Sequence, residues 1–168
     1  MTDRTELAHA FVAQTDWATA DWAPLAGDAS NRRYLRLHMD DQSAVLMDAP
    51  PERGEDVVPF ITIAEHLASV GLSAPRILAQ DRVQGFLLLE DLGDDLYARV
   101  LARMPEHEGA LYTAAVAALA HLHATPPPDA LPTYSPAMMA ALAALAFDWY
   151  AGVPHSPERQ TARDVMAR

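Results

Sequence analysis

The sequence changes character once, near residues 90–94, and this change constrains the fold more than any other feature. Residues 22–90 hold short apolar runs separated by turn-forming residues, whereas the chain beyond residue 93 is rich in alanine and leucine with helical spacing. Strands that are followed by helices, rather than alternating with them, predict an α+β fold. We therefore predict two lobes, residues 1–89 and 94–168, joined by a hinge at residues 90–93.

Local patterns predict the elements of each lobe. A short helix is expected within residues 5–20, and the first three strands, with their short connections, predict an antiparallel meander. A helix near residue 59 has apolar residues at i, i+3, i+4 and i+7. The predicted strands are residues 22–26, 33–37, 43–47, 76–80 and 85–90, and the predicted helices are residues 59–71, 94–103 with Asp94 as its cap, 111–123, 135–150 and 156–168.

The composition excludes several classes of function. A formal net charge of -11 disfavours nucleic acid and anionic membrane surfaces as partners, because both attract positive charge. The absence of cysteine excludes disulfides, thiolate metal sites and cysteine nucleophiles. The first residues are polar and mixed in charge, unlike a secretory signal, and the longest apolar run, 137–147, is about half a membrane span. These features predict a cytoplasmic protein.

The chain contains no lysine, and all 12 basic residues are arginine. This excludes a Walker A phosphate loop and any Schiff-base mechanism, because both need a lysine. It also excludes the strand lysine with which most protein kinases hold the α- and β-phosphates. Any phosphate binding must therefore rely on backbone N–H groups, arginines or a metal ion.

A cluster of turn-forming residues lies between the first two predicted strands. A strand–turn–strand hairpin of this kind can fold over a triphosphate and offer its N–H groups to the oxygens. Either arginine of the cluster can supply positive charge in bidentate form. A surface turn with two solvated arginines is the alternative interpretation. The candidate phosphate-binding residues are Gly27, Asp28, Ala29, Ser30, Asn31, Arg32 and Arg33.

A second candidate segment begins where the apolar run 86–89 ends. Glu90, Asp91 and Leu92 follow this buried strand directly and precede the helical region. Main-chain N–H and C=O groups at such a hinge are free to pair with the edge of an adenine base. The alternative is a plain strand end followed by a helix cap.

Three further polar residues have simpler interpretations. His121 and His123 are spaced i, i+2, which places them on different sides of a helix, so we expect structural rather than metal-binding roles. Asp48 ends the third predicted strand and is expected to form a turn.

Taken in order, several segments resemble the aminoglycoside phosphotransferase and choline kinase family, which has a protein-kinase-like fold. Within that family, the GDAS-RRY and MDAPP motifs are most similar to the bacterial anomeric kinases of N-acetylmuramate and N-acetylglucosamine, which act in cell-wall recycling. The segments that carry the resemblance are 27–37 (GDASNRRYLRL), 45–51 (VLMDAPP), 59–72, 86–92 (FLLLEDL), 119–123 and 147–150.

The resemblance implies a nucleotide-binding N-lobe with a five-stranded antiparallel sheet and one helix, then a hinge and the first helices of a C-lobe. It implies that ATP lies between residues 27–33 and the hinge residues Glu90, Asp91 and Leu92. The implied reaction is ATP-dependent phosphorylation of an amino sugar, with Mg²⁺ as the metal. Nucleotide and sugar are the implied partners.

The sequence departs from the family pattern in two places. Met47 or a neighbour occupies the position where the family usually has its lysine, so we include Met47 among the candidate nucleotide-binding residues. The family's His-Gly-Asp catalytic loop and metal ligands are expected beyond Arg168, so the chain alone is expected not to turn over. A catalytically inactive kinase-like binding or scaffold module is therefore the main alternative. An unrelated α+β domain without a nucleotide site is a weaker one.

Overall fold

The fold is seen in a computed structural model that describes residues 3–25, 30–129, 131–146, 149, 157, 160, 161 and 164. The chain forms two compact units, Met1–Pro126 and Pro127–Arg168. The predicted hinge at residues 90–93 lies inside the first unit, and the lobe boundary there stays a prediction. Every helix in the described part of the chain is too short or too polar to span a lipid bilayer.

The first unit is built on a five-stranded sheet in which every neighbouring pair is antiparallel, with the order β1-β2-β3-β5-β4. This confirms the predicted α+β class and the five-stranded antiparallel sheet that the resemblance implies. The strands are β1 (Asp21–Pro24), β2 (Arg33–Met39), β3 (Gln42–Asp48), β4 (Ile77–Asp81) and β5 (Phe86–Glu90). The α-helices are α1 (Arg4–Val12), α2 (Val58–Ser69), α3 (Tyr97–Arg103), α4 (Glu108–His123) and, in the second unit, α5 (Pro136–Ala143).

One face of the sheet is covered by α1 and the turn that follows it. Side chains alternate between the two faces along each strand, so a single strand contributes to two separate cores. The Phe11 ring stacks on Phe86 with centroids 5.6 Å apart. This core contains Ala8, Phe11, Val12, Trp17, Leu37, Ala44, Leu46, Phe86 and Leu88.

The opposite face is covered by α2, whose Ile61 is buried against the sheet. The side chains of β3 and β5 that point this way come from the residues between those of the first core. Because β5 is covered on both faces, it has a continuous apolar run rather than an alternating one. This second core contains Met47, Ala49, Val57, Ile61, Leu87 and Leu89.

Several predicted elements differ from the structure at their ends. The short first helix, expected within residues 5–20, runs from Arg4 to Val12. The prediction that Asp94 caps α3 is wrong, because α3 begins at Tyr97 with Leu96 in the cap position and no side-chain capping bond. In the second unit, Ser135 caps α5 by accepting a hydrogen bond from the Met138 N–H. The end of the predicted helix 135–150 and most of the predicted helix 156–168 lie outside the described residues.

Candidate functional site

A cleft of about 460 Å³ lies in the first unit, on the α2 side of the sheet. One wall is formed by side chains of the sheet and of α2, and the other by the segment that leaves β5. Leu25 and Tyr34, which flank the loop between β1 and β2, both line this cleft. The mainly apolar wall contains Leu25, Tyr34, Val45, Phe60 and Leu89, and the second wall contains Glu90, Asp91, Leu92, Gly93 and Asp94.

The segment leaving β5 has main-chain groups that are free to bind a ligand. Within the described residues, neither the N–H nor the C=O of Leu92 makes a hydrogen bond. The Glu90 N–H, in contrast, donates to the Arg76 carbonyl at 2.8 Å. The Arg76 N–H donates to the Glu90 carboxylate, and with the Arg76 guanidinium it lowers the pKa of Glu90. Leu92 therefore has both of its main-chain groups available.

Arg36, on β2, is ion-paired to this segment at two points. Its Nε lies 2.7 Å from Asp91 Oδ2, and its Nη1 donates to Asp94 Oδ2 at 2.8 Å. Nη2 donates to Asp91 Oδ1 at 3.2 Å and to Asp94 Oδ1 at 3.1 Å. Arg99 Nη1 also lies 3.6 Å from Asp94 Oδ1. We call the three residues Arg36, Asp91 and Asp94 the hinge clamp.

The hinge clamp shifts the pKa values of its members in the direction that strengthens it. Hydrogen bonds to Asp94 raise the pKa of Arg36, and those from Arg36 lower the pKa of Asp94. Burial raises the pKa of Asp91, but hydrogen bonds from the Gly93 N–H, Ser43 and Arg36 outweigh burial, so its pKa is lowered overall. All three groups are therefore charged at neutral pH.

Replacing Arg36 with methionine is expected to remove a stabilisation that depends on pH. Because the folded state lowers both aspartate pKa values, the contribution is present above the ordinary aspartate pKa of about 3.9 and is lost as the pH falls through the lower folded values. The difference in free energy of unfolding between wild type and Arg36→Met should therefore be constant from pH 7 to about 4 and shrink below that. Urea unfolding at several pH values measures this difference. A difference that disappears already near pH 6, or grows with acid, would contradict it.

The loop between β1 and β2 is only partly described. Gly27, Asp28 and Ala29 lie outside the described residues. The part that leads into β2 is held by Glu55, whose carboxylate accepts from the Asn31 N–H at 3.0 Å and from Arg32 Nε at 2.8 Å. The hydrogen bond to Glu55 also raises the pKa of Arg32.

The other described residues of this loop make local contacts. The Ser30 hydroxyl accepts from the Arg32 N–H at 3.2 Å. Asn31 Nδ2 donates to the Arg53 carbonyl at 3.1 Å. The end of the loop that joins β2 is thus tied to the chain that follows β3.

Arg33 does not line the cleft and lies on the opposite, α1-covered face of the sheet. Its guanidinium donates to Asp48, which is fully buried and is also bound by Arg4 Nε at 2.7 Å. Arg4 in turn donates to the Gln84 carbonyl and stacks over the Phe86 ring at 4.2 Å. The expectation that Asp48 is a turn former is wrong, because its carboxylate joins two arginines from distant segments.

Met47 is fully buried in the α2-side core and does not line the cleft. It pairs in register with Tyr34 on one side and Leu87 on the other. A thioether in this position packs well but supplies no charge to a phosphate. The side chain two residues earlier, Val45, is the one from β3 that reaches the cleft.

The structure thus brings Glu90, Asp91 and Leu92 to one cleft and adds residues that the sequence reasoning did not select. Tyr34, Val45 and Phe60 looked like ordinary strand or helix residues. Arg36 carried a detectable signal, because a charged side chain alternates there with Leu35 and Leu37 on a strand. His121, considered as a possible ligand, places Nε2 at 2.6 Å from the Val70 carbonyl and so joins α4 to the end of α2.

Comparison with known proteins supports the resemblance. Residues 21–168 match the phosphotransferase enzyme family. An N-acetylmuramate/N-acetylglucosamine kinase of Pseudomonas aeruginosa is 43% identical over 131 residues, which are 78% of this chain and 38% of the relative. Kinases of the same description from Caulobacter vibrioides and Pseudomonas putida are 35% and 38% identical, over 77% and 76% of this chain and 42% and 37% of their own lengths.

The chain spans about two fifths of the length of these curated relatives. The family match covers the whole sheet, the cleft and the helices that follow it. The five-stranded antiparallel sheet followed by helices agrees with what the resemblance implied. The chain belongs to the phosphotransferase enzyme family.

Proposed function

We propose that the cleft binds the adenine end of ATP and that the loop at residues 27–33 covers the phosphates. The observation that supports this most is that Leu25 and Tyr34, which flank that loop, line one cleft together with residues 90–92. Its volume, about 460 Å³, is within the range of small-molecule sites. Its walls combine apolar side chains with a few polar groups, as such sites usually do.

Within this proposal the residues have distinct roles. Leu25 and Val45 pack above the base, and Leu89 lies at the rear of the cleft. The unpaired N–H of Leu92 reads the edge of the base, with the Glu90 carbonyl beside it. We retain Ser30, Asn31 and Arg32 as candidate phosphate neighbours. The Asn31 and Arg32 N–H groups donate to Glu55 and to Ser30, so they would have to exchange these partners for a phosphate.

Mg²⁺ has no fitting site in the described part of the chain. No group of three or more His, Asp or Glu side chains that could hold a metal ion occurs among the described residues. Of the three carboxylates that line the cleft, Asp91 and Asp94 are ion-paired to Arg36 and Glu90 is ion-paired to Arg76. The residues present therefore do not fit the metal, and we derive no step through it.

We further propose that the protein to which this chain belongs phosphorylates an amino sugar, as the relatives' description suggests. The resemblance noted in the sequence implies that the anomeric hydroxyl is the acceptor. Phosphoryl transfer depends on positioning and on stabilisation of charge, so it needs catalytic groups beyond a nucleotide cleft. The 168-residue sequence contains no His-Gly-Asp. The chain alone is therefore expected to bind ATP without turnover, whereas a longer protein should release ADP when N-acetylmuramate or N-acetylglucosamine is added.

ATP is expected to raise the melting temperature of this chain modestly, because a ligand that binds only the native state adds to its stability. Val45→Phe should abolish this rise by filling the cleft. Val83→Phe is the matched control, since Val83 is 88% exposed and does not line the cleft. Thermal unfolding of wild type, Val45→Phe and Val83→Phe, with and without ATP, measures the change in melting temperature of each. An unchanged wild-type melting temperature at millimolar ATP would refute the nucleotide site.

One observation favours the second candidate, an inactive binding or scaffold module. Met47, which lies at or next to the position where the family usually has its phosphate-binding lysine, is a buried apolar side chain, and the sequence contains no lysine. ADP release by the longer protein separates the two functions. If amino sugars produce no ADP while ATP still stabilises the chain, the inactive module is supported.

A further inference from the structure

We propose that Arg36 is a positioning residue for the nucleotide site, because it holds Asp91 and Asp94 together and so fixes the hinge main chain between them. This inference rests on the proposed nucleotide function. The inference adds Arg36 to the proposed site. Arg36 precedes Asp91 by 55 positions and Asp94 by 58 positions in the chain. Arg36 thus connects the second strand of the sheet directly to the segment that reads the base.

The two carboxylates of the hinge clamp lie on either side of the Leu92 main chain in sequence. Asp91 and Asp94 flank Leu92 and Gly93, so one guanidinium bound to both carboxylates closes a short loop of main chain. The Asp91 carboxylate also accepts from the Gly93 N–H at 2.9 Å, and Gly93 has a φ of 78°. The orientation of the free Leu92 N–H is consequently set by contacts on both of its sides.

A guanidinium suits this task better than an ammonium. Its planar fork presents donors in several fixed directions. Arg36 Nη1 donates to Asp94 and Nη2 donates to both Asp91 and Asp94, while Nε lies 2.7 Å from Asp91 Oδ2 without a hydrogen bond. Without Arg36, two neighbouring carboxylates would repel each other. The Asp91 side chain is only 5% exposed, so it would then be a nearly buried charge without its partner.

The charge around Arg36 favours positioning over direct binding of phosphate. Asp91 and Asp94 already contact the guanidinium, and Glu90 adds a third carboxylate to the same wall. With Arg36 and Arg99 as the two cations lining the cleft, this end carries no excess positive charge for a triphosphate. An uncharged base or ribose fits this end of the cleft better.

Calorimetric titration of the chain with adenosine, ADP and ATP tests the inference. Arg36→Met should weaken all three ligands by a similar factor of about tenfold, because the hinge loses its preorganisation. Arg36→Lys should lose less affinity than Arg36→Met, because a lysine can keep one ion pair. Arg103→Met is the matched control and should bind as wild type does, because the exposed Arg103–Asp95 pair lies outside the cleft.

The outcomes separate this inference from the proposed function. If wild type binds none of the ligands, the nucleotide site is wrong and the inference is lost with it. If wild type binds and Arg36→Met binds equally well, only the inference is overturned. A variant that binds ATP and ADP more weakly but adenosine as tightly as wild type would also overturn the inference, because that result would indicate that Arg36 binds phosphate.

Amide hydrogen exchange separates a local change at the hinge from a general loss of stability. The Gly93 amide, whose N–H donates to Asp91, should exchange faster in Arg36→Met than in wild type without ligand, while the amides of β3 and β5 stay as protected as in wild type; equal exchange at Gly93 would contradict the inference. If Arg36→Met does not fold, as judged by circular dichroism, Asp94→Asn replaces it. Asp94 is 57% exposed, so this variant should fold. It should weaken adenosine and ATP by the same, smaller factor, and wild-type affinity would reject the inference.

Discussion

Gly85→Ala is expected to destabilise the first unit by about 3 kcal/mol or more. Gly85 has a φ of 74°, a conformation that costs an L-residue about 1–2 kcal/mol. An added Cβ would also lie 2.0 Å from the Ala49 carbonyl oxygen, which is main chain and has little freedom to move. Moving it would disturb the 2.8 Å hydrogen bond from the Ala49 N–H to the Gly85 carbonyl.

Gly71→Ala is the matched control for this prediction. Gly71 has almost the same φ, 80°, but an added Cβ meets nothing within 4 Å. It should therefore show the conformational cost alone, about 1–2 kcal/mol. Urea unfolding followed by circular dichroism compares the two variants. Equal losses of stability would mean that the contact with Ala49 is relieved at no cost, and would contradict the prediction.

The second large effect is expected for Asp48→Asn, at about 3 kcal/mol of unfolding free energy. Removing the charge of a fully buried carboxylate leaves Arg4 and Arg33 without their common partner. Arg33 is 53% exposed and can turn into water, whereas Arg4 is 16% exposed and is held against the sheet. Most of the loss should therefore come from Arg4.

Chemical unfolding of paired variants tests this second prediction. Asp95→Asn, which breaks the exposed pair with Arg103, is the control and should cost less than about 1 kcal/mol. Arg33→Met should cost less than Asp48→Asn, because Arg4 still neutralises the buried carboxylate. A loss for Asp48→Asn no greater than for Asp95→Asn would show that the buried pairs contribute nothing net.

The sheet was predictable because its strands carry strong local signals. The alternation in β2 and the continuous apolar run 86–89 both describe how many faces of a strand are covered, and the structure agrees with both. The same alternation places Arg33 with Leu35 and Leu37, on the face away from the cleft. The alternation in the sequence was therefore sufficient to place Arg33 on the face of the sheet away from the cleft.

The two incorrect assignments, Asp94 and Asp48, have a common physical cause. Each is a carboxylate at the end of a strand or before a helix, where local rules predict a cap or a turn. Each is instead bound by an arginine far away in the chain, Arg36 or Arg4. Such pairings depend on tertiary structure, and no local pattern encodes them.

The cleft was predictable only in part for a related reason. The hinge residues follow a strand whose end is visible in the sequence, so their position could be inferred. The apolar wall comes from single side chains of separate elements, among them Tyr34, Val45 and Phe60. Their convergence depends on the register between strands and on how α2 packs, which periodicity alone does not give.

The position of α1 has a consequence for how this domain is delimited. The family match begins at residue 21, yet α1 and Trp17 lie before it and cover one whole face of the sheet. A fragment cut at residue 21 would keep every recognised motif but leave Leu37, Leu46 and Phe86 facing water. The segment that matches the family is therefore shorter than the segment needed to bury the sheet. The two can differ because covering an apolar surface demands apolar side chains of suitable size, not particular residues.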